Sequence, residues 1–226
     1  MMDLKRITIF AGNFGSGKTE LSINLAEKLA ENYEKVVLVD LDVVNPYFRS
    51  REKDDFMEGK GVEVVYPREL ENADLPIITA DVHKVIQDDS IHGILDIGGN
   101  DDGAIALGSV SRQLTKDDYE MNLVVNTMRP STSDFSGIKD MKERIEYSSK
   151  LEFDNIICNI NLGKETEIED IKEGYPLVKE ASQKLGLPIK FISIREDLLP
   201  LPESFQPNEE IFPVNIHMNP PWVNNL

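Results

Sequence analysis

Cysteine is almost missing from this sequence: Cys158 is the only one in 226 residues. A lone thiol cannot close a disulfide within the chain, nor build a cysteine-ligated metal site by itself. It lies in the apolar run NIICNI, which suits a buried and inert thiol. Long hydrophobic runs are missing as well. The apolar stretch in MMDLKRITIFAGN is too short for a secretory leader's apolar core or for a membrane span, so a cytoplasmic location is expected. Basic residues are scarce, with 24 Lys and Arg against 41 Asp and Glu and a net charge of −17. That balance is a poor match to nucleic acid and to an anionic membrane surface, which demand a basic face, and no run of Lys and Arg supplies one locally. Histidines number three, at His83, His92 and His217, and their scatter makes no metal-ligand spacing.

What is present is a regular alternation. Apolar, β-branched runs at 6–11, 35–41, 62–66, 93–97, 121–126, 155–160 and 189–194 predict strands. Helix-period segments at 18–32, 50–58, 81–88, 104–114, 136–150 and 167–185 lie between them. The strand candidates are apolar throughout instead of alternating, as expected when helices cover both faces of a parallel sheet. The pattern predicts an α/β fold, doubly wound, with a mostly parallel sheet of about seven strands. No repeat and no linker rich in Gly, Ser or Pro divides the chain. The expected organisation is a nucleotide-binding domain over 1–199 with a proline-rich strap of the same domain over 200–226. Six of the twelve prolines fall between Pro200 and Pro221, which argues against regular helix or sheet there. Trp222, the only tryptophan, is the natural anchor for such a strap, or for a partner that docks on it.

The stretch Gly12-Asn13-Phe14-Gly15-Ser16-Gly17-Lys18-Thr19 carries the chemistry. It fits G-x-x-x-x-G-K-[ST], the P-loop pattern, and it stands between an apolar strand and an amphipathic helix whose Leu21, Leu25 and Leu29 face inward. Glycines let consecutive N–H groups converge on a phosphate, and the helix directs its positive dipole end at the same point. Lys18 adds an ammonium for the outer phosphates, and the Thr19 hydroxyl is a hard ligand for Mg²⁺. Gly12 through Thr19, together with Glu20, form the expected phosphate-binding set.

Such a loop needs carboxylates from neighbouring strands. KVVLVDLDVVNP ends in Asp40 and Asp42, which strand alternation would place on one face. GILDIGG ends in Asp96, whose following glycines leave room for phosphate. Asp96 is an expected magnesium-site carboxylate, held to the metal through a bound water.

These three motifs together resemble the MinD/ParA and CobQ/CbiA-type ATPases, SIMIBI-like P-loop NTPases with a deviant Walker A loop. The resemblance continues through VVNTMRPSTSDFSGIKDMKERI, NIICNINL and FISIREDL. It implies ATP and Mg²⁺ as cofactors, with Lys18 and Thr19 on phosphate and metal, and Asp42 orienting the attacking water. Asp40 supports the metal region, so that Lys18, Asp42 and Asp40 form the expected catalytic set and Thr19, Asp42 and Asp96 the expected metal set. Asn159 stands where the family places an adenine-contacting asparagine; a buried asparagine bonded to backbone is the alternative. The guanine-specific pattern Asn-Lys-x-Asp is absent at CNINLGKE, which favours ATP.

One position departs from the family. Its loop reads K-G-G-x-G-K-[ST], and the first lysine falls at Asn13, with Phe14 in place of a glycine. A neutral asparagine cannot supply charge to a partner's nucleotide. Arg49, Arg51 and Arg129 are the candidate substitutes, and Pro46 stiffens the loop that carries the first two. The resemblance implies a slow ATPase that switches a protein partner, for example in metalloenzyme maturation, and a nucleotide-dependent homodimer is compatible with it. The alternative is an ATP-dependent synthetase of the CobQ or dethiobiotin-synthetase type. Neither nucleic acid nor membrane is expected as a partner.

Overall fold

The computed structural model of the protein describes residues 4–42, 54–66, 79–99 and 101–218. Arg49, Arg51, Pro46 and Trp222 lie outside the described residues.

Eight parallel strands form one sheet: β1 (Ile7–Ala11), β2 (Val36–Asp40), β3 (Val62–Val65), β4 (His92–Asp96), β5 (Tyr119–Val125), β6 (Asn155–Cys158), β7 (Ile189–Arg195) and β8 (Glu210–Val214). Their order across the sheet is β3-β2-β4-β1-β5-β6-β7-β8, and every described pairing is parallel. The helices between them are α1 (Lys18–Ala30), α2 (Asp54–Gly59), α3 (Ala80–Gln87), α4 (Asp101–Val110), α5 (Phe135–Ser149) and α6 (Ile168–Leu185).

Strand alternation sorts the core into two layers. On one face Ile7, Ile9 and Ala11 of β1 pack with Val82, Leu107, Met141 and Val178, which belong to α3, α4, α5 and α6. On the other, Phe10 packs with Leu21, Leu25 and Leu29 of α1 and Met57 of α2. Leu21 and Leu25 are 1% exposed; burying each leucine side chain stabilises the layer by about 2 kcal/mol. Local signals set several helix ends. The Asp134 carboxylate accepts the Gly137 N–H at 2.8 Å to start α5. A Glu167/Asp170 capping box starts α6, and Gly186, at φ +68°, ends it.

The seven expected strands all form, with ends shifted by one or two residues. β8 is a correction to the reading of the proline-rich segment, which excluded sheet. It runs along β7 from Glu210 to Val214 and includes Pro213. An edge strand tolerates proline because the missing N–H can face away from the ladder. Past β8, the chain returns to α1. Asn24 and Asn215 exchange two hydrogen bonds, at 2.9 and 2.7 Å. The Glu20 carboxylate accepts the backbone N–H groups of His217 and Met218, at 2.6 and 3.1 Å.

Candidate functional site

The site lies at the carboxyl ends of β1, β2 and β4, where an open parallel sheet leaves its crevice. The glycine loop turns from β1 into α1 through Gly15 and Gly17, at φ +72° and +90°, a region that side chains strongly disfavour. Gly12 passes so close to β5 that a Cβ there would meet the Val124 carbonyl oxygen at 2.6 Å. The Lys18 ammonium reaches back to the Asn13 carbonyl at 3.0 Å. Burial holds the Lys18 pKa below its ordinary value, against the opposing pull of Asp96 and Asp42.

Thr19 and Asp96 meet directly, the hydroxyl donating to Oδ2 at 2.6 Å. The other oxygen, Oδ1, is buried and accepts no hydrogen bond. Asp96 is 1% exposed. Burial first, then the neighbouring Asp40 carboxylate, pushes its pKa up to about 8, although Lys18 and the Thr19 hydroxyl act in the other direction. Asp40 and Asp96 are direct neighbours across β2 and β4. β2 ends at Asp40, so strand alternation does not carry on to Asp42. Instead the Asp42 N–H donates to Asp40 Oδ1 at 2.8 Å, and this turn brings Asp42 near Lys18. Lys18, Thr19, Asp40, Asp42 and Asp96 thus converge on one place.

The loop is gripped from outside by residues that its own motif does not reveal. The Asn159 amide donates to the Ser16 carbonyl, and its oxygen accepts from the Ser193 hydroxyl. A Cβ on Gly17 would come within 2.3 Å of that same amide. Asn126 donates to the Asn161 carbonyl at 2.9 Å and to the Gly15 carbonyl at 3.4 Å. Arg129 Nε donates to the Gly15 carbonyl at 2.9 Å, and Arg144 Nη2 to the Asn13 side chain at 2.7 Å. Gly99, in the turn after Asp96, lies against the backbone of Asn13 and Phe14, where a Cβ would meet Phe14 N at 2.5 Å. The Phe14 ring is 60% exposed and stands at the rim. Glu20 turns away to hold the C-terminal segment.

Residues 7–189 match the CobQ/CobB/MinD/ParA nucleotide binding domain family. The chain belongs to this family. No curated protein matches it by sequence. Among solved structures, the fold is similar to the cell division protein FtsY from Thermotoga maritima, with TM-score 0.54, 22% identity, and coverage of 86% of this chain and 64% of that one. It is also similar to the signal recognition particle 54 kDa protein from Aeropyrum pernix in complex with GDP, with TM-score 0.52, 22% identity, and coverage of 82% and 40%. FtsY from Mycoplasma mycoides gives TM-score 0.54, 16% identity, and coverage of 86% and 62%. The chain therefore spans less than two thirds of the length of each of these neighbours. The family explains the glycine loop and the parallel sheet as parts of a P-loop nucleotide-binding domain.

The remaining candidates fall elsewhere. Cys158 is buried, with its thiol pKa driven far upward by burial. His83 contacts Gln113, His92 stacks on Tyr33, and His217 lies 2.9 Å from Glu27, three separate places. Among the described residues no group of three or more His, Cys, Asp and Glu side chains could hold a metal, and no helix is long and apolar enough to cross a membrane.

Proposed function

We propose that this chain is a magnesium-dependent ATP-binding NTPase that acts as a nucleotide-driven switch on a protein partner. The observation that carries the reading is the Thr19–Asp96 contact beside Lys18, with one Asp96 oxygen buried and accepting no hydrogen bond. A buried carboxylate oxygen left without a partner is costly, and a hard cation with its shell of water satisfies it. Thr19, Asp42 and Asp96 offer the oxygen donors that magnesium takes, so these residues fit the ion. When bound, magnesium neutralises charge on the outer phosphates.

The other roles follow from the chain's own groups. The loop's N–H groups and Lys18 bind phosphate, and Asp42 orients the attacking water, with Asp40 fixing Asp42 through its N–H. Asn159 acts as a brace for the loop, since its amide and its oxygen already hold Ser16 and Ser193. ATP is favoured over GTP because Ile160 and Leu162 stand where the guanine-specific pattern requires lysine and aspartate.

Calorimetric titration with ATP and GTP, each with magnesium, tests binding and base preference. Asp42→Ala is expected to bind ATP and fail to turn it over; normal turnover would remove Asp42 from the mechanism. Phosphate release that requires an added carboxylic acid would support the synthetase reading instead. Light scattering with a non-hydrolysable ATP analogue reads whether nucleotide joins two chains.

A further inference from the structure

Two donors from one turn grip the carbonyl of Gly15. Arg129 Nε donates to it at 2.9 Å and the Asn126 amide at 3.4 Å. The guanidinium also lies against the glycine itself, where a Cβ would meet Nε at 3.0 Å and Cζ at 3.2 Å. Local chemistry fixes the turn that carries these donors. The Asn126 carbonyl accepts the Arg129 N–H at 3.2 Å and the Thr132 hydroxyl at 2.6 Å. Its side-chain oxygen accepts the Met128 N–H at 3.1 Å. Pro130 disfavours the helical region for Arg129, whose backbone is extended at φ −104° and ψ 133°. Among the described residues Arg129 forms no ion pair, unlike Arg144, whose Nε lies 3.0 Å from Asp101 Oδ1.

We infer that Arg129 is a positioning residue for phosphate binding, which keeps the Gly15–Ser16 peptide from flipping its carbonyl into the cradle. This rests on the nucleotide-binding reading above. A trans peptide is planar, with its C=O and N–H pointing opposite ways. With the Gly15 carbonyl drawn out to Arg129, the Ser16 N–H faces back and meets the Asn13 carbonyl at 3.2 Å. The next peptide follows the same rule: Asn159 takes the Ser16 carbonyl, which turns the Gly17 N–H the other way. Gly15 and Gly17 both stand at positive φ, and without a Cβ neither resists rotation of the peptides between them. The restraint therefore comes from outside the loop. A flipped Gly15 carbonyl would present its negative end to the anion that the loop's N–H groups and Lys18 attract. Arg129 prevents this through a neutral acceptor, and its charge, not neutralised by a carboxylate among the described residues, adds to the attraction for phosphate.

The test compares wild type with R129M, which keeps the stem and loses every donor, and with R129A, which leaves space for an added guanidinium. Calorimetry measures affinity for ATP, GTP and inorganic tripolyphosphate, each with magnesium, and amide exchange at Ser16 is followed by NMR. R129M is expected to bind the preferred nucleotide and tripolyphosphate about tenfold more weakly, the worth of one hydrogen bond from a charged donor. Its Ser16 amide should exchange about tenfold faster as the Asn13 contact loosens, with a melting temperature within about 2 °C of wild type. Added methylguanidine should restore binding to R129A, and methylamine should not, because the ammonium lacks the planar fork. Unchanged affinity in R129M would overturn the inference. So would a loss confined to nucleotide with tripolyphosphate unaffected, which would place Arg129 on the nucleoside, or rescue by methylamine, which would mean that bare charge suffices. Should R129A fail to fold, R129K replaces it, and wild-type affinity in R129K would likewise overturn the role of the fork. A wild type that binds none of the three ligands removes the nucleotide reading and this inference together; a wild type that binds, with R129M its equal, removes only the inference.

Discussion

Asp96→Asn should stabilise the nucleotide-free protein while destroying the site. In the folded chain, burial and the adjacent Asp40 raise the Asp96 pKa to about 8, against about 3.9 for an aspartate in an unfolded chain. Between those values the native state keeps a proton that the unfolded state has released. Stability then falls as pH rises, by about 1.4 kcal/mol per unit for this one group. The penalty at neutral pH relative to pH 4 comes to roughly 4 kcal/mol. Asparagine never ionises, accepts the Thr19 hydroxyl as well as aspartate does, and offers Asp40 a neutral neighbour. The experiment is denaturant unfolding of wild type and Asp96→Asn in chelator, from about pH 5 to about pH 8. The difference between the two curves cancels the groups they share. It should grow steadily in favour of the variant across this range, which ends near the native pKa. Magnesium with nucleotide should stabilise wild type and leave the variant unaffected. Parallel pH profiles would refute the argument, because Asp96 would then be ionised in the folded protein.

Three further outcomes can be checked directly. Gly17→Ala forces a side chain into φ +90° and within 2.3 Å of the Asn159 amide, so titration should show nucleotide affinity lower by at least about a hundredfold, as strain and clash together cost a few kcal/mol. Asn159→Ala removes the brace on the Ser16 carbonyl and leaves the Ser193 hydroxyl only its longer bond to the Cys158 carbonyl; affinity for ATP and GTP should fall about tenfold and equally, whereas a selective loss of ATP would mark a base contact instead. Lys190 pairs with Glu120, whose carboxylate is raised in pKa chiefly by burial; Lys190→Met should cost about 3 kcal/mol in urea unfolding by removing the cation paired with that buried carboxylate, with nucleotide binding unchanged.

The phosphate loop, the order of strands and helices, and the carboxylates at the ends of β2 and β4 were legible because each is written in a few consecutive residues. Leu21, Leu25 and Leu29 announce the buried side of α1 at helical spacing, and Gly186 announces the stop before β7. β8 was hidden by its own composition, since Pro213 reads as a breaker unless the strand is known to sit at an edge. The braces were hidden by distance along the chain. Arg144 lies 131 positions from Asn13, and Asn126 lies 111 from Gly15, so no local pattern joins them. Asparagines in the runs after β5 and β6 were the one available hint: polar residues just past a buried parallel strand must turn toward something polar. Position 13 read as a lost charge, whereas its side chain in fact receives a guanidinium from the same chain.

The segment after β8 gives the loop's own helix an unusual birth. Glu20 and Asn24 stand in the first two turns of α1, yet their partners arrive 191 to 198 positions later. During synthesis at about 5–20 residues per second, that interval lasts roughly 10–40 s. Through all of it the start of α1 lacks the partners of its Glu20 and Asn24. Contacts so far apart along the chain form last, after nearer ones have reduced the entropy of closure. The start of α1 is thus among the last parts of the molecule to become rigid, fixed only when residues 215–218 have docked on Glu20 and Asn24.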